Sequence, residues 1–210
     1  MKAVMFDLWN TLAYRKGVSA KDILTALGLE VKYESFKILD KTIGLQSFKT
    51  TKEAALKVCE YTGKPERTER VERVLKGLEK ERLCFYPDVK QVLKKLKNKY
   101  KLGLISNTSM FSVKTFPLEM KKLFDVIGFS YKLGMMKPEP GMFLYVLEKL
   151  KARPEECVMV GDSVNDDMLP ARKLGMKTVL IKRNIRIYFE PKKYEPVITD
   201  LNQLEQYLYS

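Results

Sequence analysis

Histidine is absent from the 210 residues of this chain. Without histidine there can be no Ser-His-Asp triad, no histidine-ligated zinc site and no phosphohistidine chemistry. Any catalysis by this protein therefore depends on carboxylates, lysines and other polar side chains.

Cysteines and long apolar stretches are also scarce. The isolated residues Cys59, Cys84 and Cys157 form neither a disulfide framework nor a CxxC metal or redox motif. No apolar run approaches the roughly 18 residues of a membrane span. At the N-terminus, Asp7 interrupts the apolar stretch where a signal peptide would continue. We therefore expect a cytoplasmic protein without a membrane partner.

The composition is that of a globular protein with a strong excess of positive charge. Hydrophobic residues make up 45% of the chain and charged residues 31%, and the formal net charge is +13. The basic residues are spread along the chain and interleaved with Glu, and the densest lysine cluster has the pattern of an exposed helix face. We therefore expect no nucleic acid partner, and an anionic small substrate instead.

Short apolar runs alternate with helical patterns along much of the chain. The runs, each typical of a buried parallel strand, cover residues 2–6, 102–105, 157–160 and 178–181. The helical patterns cover residues 88–98, 141–151 and 166–174. This alternation predicts an α/β fold with a doubly wound parallel sheet, which binds ligands at the carboxyl ends of its strands.

Residues 14–85 interrupt this rhythm. They contain no convincing buried strand, but apolar residues recur at helical spacing, as in Val71, Val74, Leu75 and Leu78. We predict a core of residues 1–13 and 86–210 with an inserted helical subdomain of residues 14–85. The insertion begins just after the first strand, at the ligand-binding edge, where it can act as a lid.

Four polar motifs follow predicted strands or precede a helix. They are Asp7 in FDLWNTL, Ser106-Asn107 after LGLI, Lys137 in KPEP, and Asp162 in GDS with Asp166 and Asp167 behind it. Each motif alone has an ordinary explanation as a helix cap, a turn or a surface cation. Their occurrence together on one topology indicates a single functional site.

In order and spacing these motifs resemble those of the haloacid dehalogenase (HAD) superfamily, over nearly the whole chain. The resemblance implies a Rossmann-like core and a helical C1-type cap. It makes Asp7 the nucleophile that accepts a phosphoryl group, Lys137 the cation that orients it, and Ser106 a phosphate-binding donor with Asn107 beside it. Several negative charges meet in such a reaction, so Mg²⁺ and a lysine are needed to offset them.

The resemblance also implies the metal ligands and the last acid of the motif. Asp7, Asp162 and the backbone carbonyl of Trp9 would hold Mg²⁺. Asp167 aligns best as the last acid, although the reverse assignment to Asp166 stays open.

Trp9 departs from the family pattern. Phosphatases of this family usually carry an acid at this position, which protonates the leaving alcohol, and losing such assistance costs about 10²- to 10⁴-fold in rate. The chain is then a phosphatase of a small phosphorylated metabolite, a 2-haloacid dehalogenase-like hydrolase, or a catalytically weakened regulatory protein. We favour the phosphatase, because Asp7, Ser106, Lys137 and Asp162 are all present. The Trp9 ring either packs as core or lines the substrate pocket, and the oligomeric state is not predicted.

Overall fold

The computed structural model describes residues 1–183 and 196–208. Its main sheet has the strand order β5-β4-β1-β6-β7-β8, with every neighbouring pair parallel. A separate antiparallel pair joins β2 to β3. The strands, in chain order, are β1 Ala3–Phe6, β2 Ala13–Tyr14, β3 Cys84–Phe85, β4 Lys101–Ser106, β5 Val126–Phe129, β6 Cys157–Gly161, β7 Lys177–Ile181 and β8 Val197–Ile198.

Helices cover both faces of the sheet and also form the segment between β2 and β3. They are α1 Ala20–Ala26, α2 Tyr33–Ile43, α3 Thr51–Tyr61, α4 Thr68–Lys80, α5 Val89–Lys97, α6 Leu118–Lys121, α7 Ser130–Leu133, α8 Pro140–Leu150 and α9 Leu169–Lys173. Within residues 1–183 and 196–208, every helix is too short or too polar to cross a bilayer.

The central strands are apolar because both of their faces are buried. All four residues of β1 are inaccessible to solvent, and β4 is exposed only at Lys101. On one face the core includes Leu93 of α5, and on the other it includes Phe143 of α8. The α/β fold with a doubly wound parallel sheet is therefore confirmed.

The connectivity fixes where a ligand can bind. The chain runs outward from β1 to β4 and β5, then crosses to β6 on the other side of β1 and continues outward. The strand order thus reverses around β1, and the carboxyl ends of β1, β4 and β6 border the resulting crevice. Asp7, Ser106 and Asp162 stand at these three ends.

The segment between β2 and β3 folds around an apolar centre of its own. Helices α1 to α4 bury Leu24, Val58, Val71 and Leu75 together, and Phe111 from outside the segment joins this cluster. The chain leaves and re-enters the sheet-containing part through the β2–β3 pair, in which Tyr14 lies opposite Cys84. This placement puts a helical layer above the carboxyl edge of the sheet.

Candidate active site

A buried lysine links two buried aspartates at the carboxyl edge of the sheet. The Nζ atom of Lys137 lies 2.6 Å from Oδ1 of Asp7 and 2.6 Å from Oδ1 of Asp167. The three residues are 3%, 4% and 0% exposed, respectively. Asp7 follows β1 and is anchored there by its backbone N–H, which donates to the carbonyl of Val160 in β6 at 2.9 Å.

The sequence around Asp167 explains why its side chain reaches the lysine. Between β6 and α9 the backbone forms a wide π-helical turn at Val164–Met168. Ser163 precedes this turn, and its backbone N–H donates to Oδ2 of Asp167 at 3.1 Å. The predicted helix at 166–174 thus begins as a π turn, a feature frequent at functional sites.

Burial and neighbouring charges shift the pKa values of Asp7, Asp167 and Lys137. Burial is the main cause that raises the pKa of Asp7 to about 6, with the charge of Lys137 opposing it and that of Asp162 adding to it. Burial likewise raises the pKa of Asp167 to about 6. For Lys137, burial alone would lower the pKa, but the charges of Asp167 and Asp7 raise it above the ordinary lysine value. The lysine therefore stays protonated.

Asp162 completes a group of carboxylates that fits a divalent cation. One carboxylate oxygen from each of Asp7, Asp162 and Asp167 lies within 4.8 Å of the others. Three carboxylates meet there, the charges of Lys137 and Lys182 offset theirs only in part, and Oδ2 of Asp7 is buried without a hydrogen-bond partner. Oxygen ligands with this excess charge suit Mg²⁺.

Asn10 is a contributor to this group that the sequence did not single out for chemistry. Its backbone is left-handed, with φ of 57°, as the turn after β1 requires and as Asn tolerates. Its side-chain amide donates to Oδ2 of Asp162 at 3.3 Å. Burial is the main cause that raises the pKa of Asp162 to about 6, and the Asn10 contact opposes it slightly.

Ser106 and Asn107 follow one another at the end of β4 but have different surroundings. Ser106 is fully buried, and its hydroxyl makes a long contact of 3.5 Å to the Asn107 carbonyl. The Asn107 amide donates to the Lys137 carbonyl and accepts from the Lys137 N–H, both at 2.8 Å. Both polar atoms of this amide therefore contact the Lys137 backbone, and Asn107 also lines a cavity, so its substrate-binding role stays a prediction.

Trp9 both packs against the core and lines a cavity. Its ring lies against the buried cluster around β1, and its Nε1 donates to Oγ1 of Thr108 at 3.3 Å. The Arg15 guanidinium lies 5.4 Å from the ring centre. The cavity, of about 460 Å³, is also lined by Asn10, Asn107 and several residues of α1 and α2. Trp9 thus contacts both the core and this cavity, and the role of the cavity as the substrate pocket stays a prediction.

Asp166 faces the helical segment, away from the lysine. Its carboxylate lies 3.3 Å from Nζ of Lys37 and accepts from the Tyr33 hydroxyl at 3.4 Å, both from α2. The Ser163 hydroxyl also donates to it at 3.3 Å. Asp167 and not Asp166 is therefore the acid that contacts Lys137.

The fold and the site together define an α/β protein of Rossmann-like architecture whose polar centre is a buried Asp-Lys-Asp cluster. The sequence model of one protein family, the haloacid dehalogenase-like hydrolases, matches residues 1–175 of this chain. The chain belongs to this family.

A curated relative with a described activity is similar over part of the chain. It is the glyceraldehyde 3-phosphate phosphatase of Pyrococcus furiosus, 34% identical over 128 residues, which are 58% of this chain and 53% of the relative. The chain thus spans about half the length of the phosphatase that it matches.

Solved structures match almost end to end. The HAD phosphatase of Thermococcus onnurineus is 25% identical with a TM-score of 0.63, covering 99% of this chain and 98% of that one. A 2-haloacid dehalogenase of Pseudomonas syringae has a TM-score of 0.69 at 22% identity, over 100% and 98% of the two chains. The HAD-hydrolase YfnB of Bacillus subtilis, bound to magnesium, has a TM-score of 0.66 at 17% identity, over 100% and 99%. At these identities the last two matches show the fold alone.

Proposed function

We propose that this protein is a Mg²⁺-dependent phosphatase that hydrolyses a small phosphorylated metabolite through an aspartyl-phosphate on Asp7. The observation that carries the proposal is the buried pairing of Lys137 with both Asp7 and Asp167, at 2.6 Å each, beside Asp162. An aspartate held this way is kept in place by the lysine and has one oxygen, Oδ2, without a partner.

Each residue has a distinct part in this reaction. Asp7 attacks phosphorus, and the ester oxygen leaves as the new bond forms. Lys137 stays protonated and offsets charge on the nucleophile and the phosphoryl oxygens. The Ser106 hydroxyl donates to a phosphoryl oxygen, Asp167 holds the lysine, and Asn107 fixes its backbone.

Asp7 and Asp162 would hold Mg²⁺, with the backbone carbonyl of Trp9 as a further ligand. When bound, the ion supplies positive charge that brings the phosphate dianion and the carboxylates together. The excess of negative charge in the carboxylate group supports this assignment. Support also comes from the magnesium bound in YfnB, a protein of the same fold.

We propose that residues 14–85 act as a cap that selects the substrate. The cavity lies between residues of this segment, such as Phe36, and residues beside the nucleophile, such as Trp9 and Asn107. Closing such a cap would separate the reacting groups from bulk solvent and admit only the water that the second step consumes. The net charge of +13 favours the approach of anionic substrates. The cytoplasmic location and the lack of a nucleic acid partner stay predictions from composition.

A dehalogenase is the second candidate, because Trp9 supplies an aromatic where phosphatases usually have an acid and halide leaves without a proton. The place of Asp162 in the carboxylate group counts against this candidate, since a metal has no part in halide displacement by Asp7. A regulatory protein without activity would have no use for a buried, lysine-paired Asp7.

Activity toward p-nitrophenyl phosphate tests the proposal. Turnover should require Mg²⁺, cease with EDTA and cease in Asp7→Asn, whereas the control Glu119→Gln, at an exposed position on α6, should match the wild type. Halide release from 2-chloropropionate without Mg²⁺ and without phosphatase activity would establish the dehalogenase. No turnover of either substrate would contradict both enzymes.

A further inference from the structure

The cavity beside the nucleophile contains an acid that the sequence motifs do not include. Among the described residues that line this cavity, Asp40 is the only carboxylic acid. It belongs to α2 of the helical segment, and Trp9, Asn10 and Asn107 line the same space from the sheet side. The carboxyl of Asp40 therefore lines the same cavity as Trp9, the residue that stands where phosphatases of this family usually carry an acid.

Asp40 is weakly paired, and several charges surround it. Its nearest cation, Lys37 on the same helix, is 3.9 Å away and lies closer to Asp166, at 3.3 Å. Burial is the main cause that raises the pKa of Asp40 to about 6, the charge of Asp166 adds to the rise, and Lys37 and Lys137 oppose it. Arg15, Lys21 and Tyr14 are the other ionisable groups lining the cavity.

The cavity connects Asp40 with the turn that follows the nucleophile. Trp9 and Asn10, which follow Asp7 in the chain, line this cavity together with Asp40. The charge of Lys137, which contacts Asp7, opposes the rise in the pKa of Asp40. A carboxyl group with these surroundings exchanges its proton near neutral pH, the range in which general acid-base catalysis is most effective.

We propose that Asp40 is the general acid and base of this enzyme, taking the role that the residue at Trp9 cannot perform. This inference rests on the proposed phosphatase function. As Asp7 forms its bond to phosphorus, the bond from phosphorus to the ester oxygen breaks, and protonated Asp40 gives its proton to that oxygen. The products of this step are the alcohol, the aspartyl-phosphate and the Asp40 carboxylate.

The second step returns the proton. Water attacks phosphorus, and the bond from phosphorus to the Asp7 carboxyl oxygen breaks. The Asp40 carboxylate accepts a proton from that water, so inorganic phosphate, free Asp7 and protonated Asp40 result. The overall reaction consumes one ester and one water and releases one alcohol and one phosphate, with no other reactant.

The place of Asp40 on α2 couples acid delivery to the position of the helical segment. Lys37 and Tyr33 lie one and two turns before Asp40 on α2. Both contact Asp166, which follows β6 in the chain. Leu39, next to Asp40, is buried in the apolar centre of the segment. The same helix therefore contacts the sheet-containing part and carries the acid.

Asp40→Asn and Asp40→Ala test this role on two substrates that differ in leaving group. An alkyl phosphate such as glycerol 3-phosphate has a leaving alcohol that requires a proton, whereas the p-nitrophenolate of p-nitrophenyl phosphate does not. Both variants should lower kcat/KM for the alkyl ester by about 10²- to 10⁴-fold and for the aryl ester by less than about tenfold. Glu34→Gln, which removes an exposed acid from the same helix, is the matched control and should leave both unchanged.

A rescue experiment separates chemistry from a change in shape. Trp9→Asp in the Asp40→Asn background should restore activity on the alkyl ester, because it places an acid after Asp7 again. In the wild type, activity on the alkyl ester should rise with pH as Asp7 ionises and then decline as Asp40 loses its proton. The decline should be absent in Asp40→Asn, whereas the rise from Asp7 should remain. Equal losses on both esters, or no loss on either, would overturn the role of Asp40.

The failure of this inference is distinguishable from failure of the proposed function. If wild type hydrolyses both esters and Asp7→Asn hydrolyses neither, the phosphatase stands whatever Asp40 does. If wild type hydrolyses neither ester with Mg²⁺ present, the phosphatase proposal itself fails and the role of Asp40 fails with it.

Discussion

Replacing Lys137 by Met tests whether the buried cluster is charged in the folded protein. The methionine side chain is similar in length and flexibility but carries no charge, so Asp7 and Asp167 lose the ammonium that lies 2.6 Å from each. Both carboxylates are almost completely buried, and water cannot replace the lost partner.

The expected loss of stability is large. Removing one partner of a buried ion pair costs about 3–5 kcal/mol in the free energy of unfolding. For a protein of this size each kcal/mol lowers Tm by about 2–4 °C, so Tm should fall by about 6–20 °C. The control Lys132→Met, at an exposed position on α7, should change the free energy of unfolding by less than about 0.5 kcal/mol.

The loss should also depend on pH, with a sign that follows from the pKa values. The pKa of Asp7 and of Asp167 is already raised to about 6, and it rises further without the ammonium. In the unfolded chain these groups ionise near their ordinary pKa of 3.8, whereas in the folded variant they hold their protons to higher pH. The variant therefore loses stability as the pH rises above 3.8. The free energies of unfolding of the wild type and of Lys137→Met should therefore differ most near about pH 8, and this difference should become smaller toward about pH 5.

Urea denaturation followed by circular dichroism, with EDTA present, measures this difference at both pH values. A loss below about 1 kcal/mol, or one that is the same at both pH values, would refute a charged, lysine-compensated cluster. Either result would also remove the main support for Asp7 as a nucleophile.

Other predictions follow from neighbouring contacts. Mg²⁺ should raise Tm near about pH 8 and much less near about pH 5, because its carboxylate ligands, with pKa values of about 6, are protonated at the lower pH; equal shifts in thermal melts would contradict this. Asp162→Asn should abolish most of that Mg²⁺-dependent shift, as a calorimetric titration can check. Asn107→Leu should cost about 2 kcal/mol in urea denaturation and lower kcat more than it raises KM, because the Lys137 backbone loses both hydrogen bonds; an unchanged kcat would exclude a positioning role. Trp9→Asp in an otherwise wild-type chain should change activity on the alkyl ester by less than about tenfold if Asp40 already supplies the proton.

The central sheet could be predicted because buried parallel strands leave continuous apolar runs. The strand β1 lies within its predicted run. The strands β4, β6 and β7 contain their predicted runs and extend beyond them by one residue at one or both ends. β5 was not predicted, because Val126 and Ile127 at the edge of the sheet are only half-buried, and because α6 and α7 on either side have four residues each, too few to give a helical pattern that would frame the strand.

The shortest strands were beyond prediction for another reason. β2, β3 and β8 have two residues each, and β2 and β3 pair across a separation of about seventy residues, so only the tertiary structure brings them together. No local pattern encodes such a pairing.

At the site, the residues of the four motifs could be predicted, whereas contacts that depend on how distant elements pack could not. Asp7, Ser106 and Asp162 are fixed by strand ends, which the apolar runs locate. The contacts of Asn107 with Lys137 depend on how the loop before α8 folds. The approach of Asp40 depends on how α2 lies over the sheet. Its sequence surroundings are those of an ordinary helix.

Trp9 is the only tryptophan of the chain, and it lies where substrate and cap are proposed to meet. Indole emission shifts with the polarity and the charges around the ring, and here Arg15 and Thr108 provide that environment. Selective excitation of this one ring therefore yields an optical signal from the cavity without any label. In Asp7→Asn, which should not turn over, candidate phosphate esters can be titrated directly and ranked by their effect on this emission. The residue that removes the usual acid thus provides a spectroscopic way to search for the natural substrate.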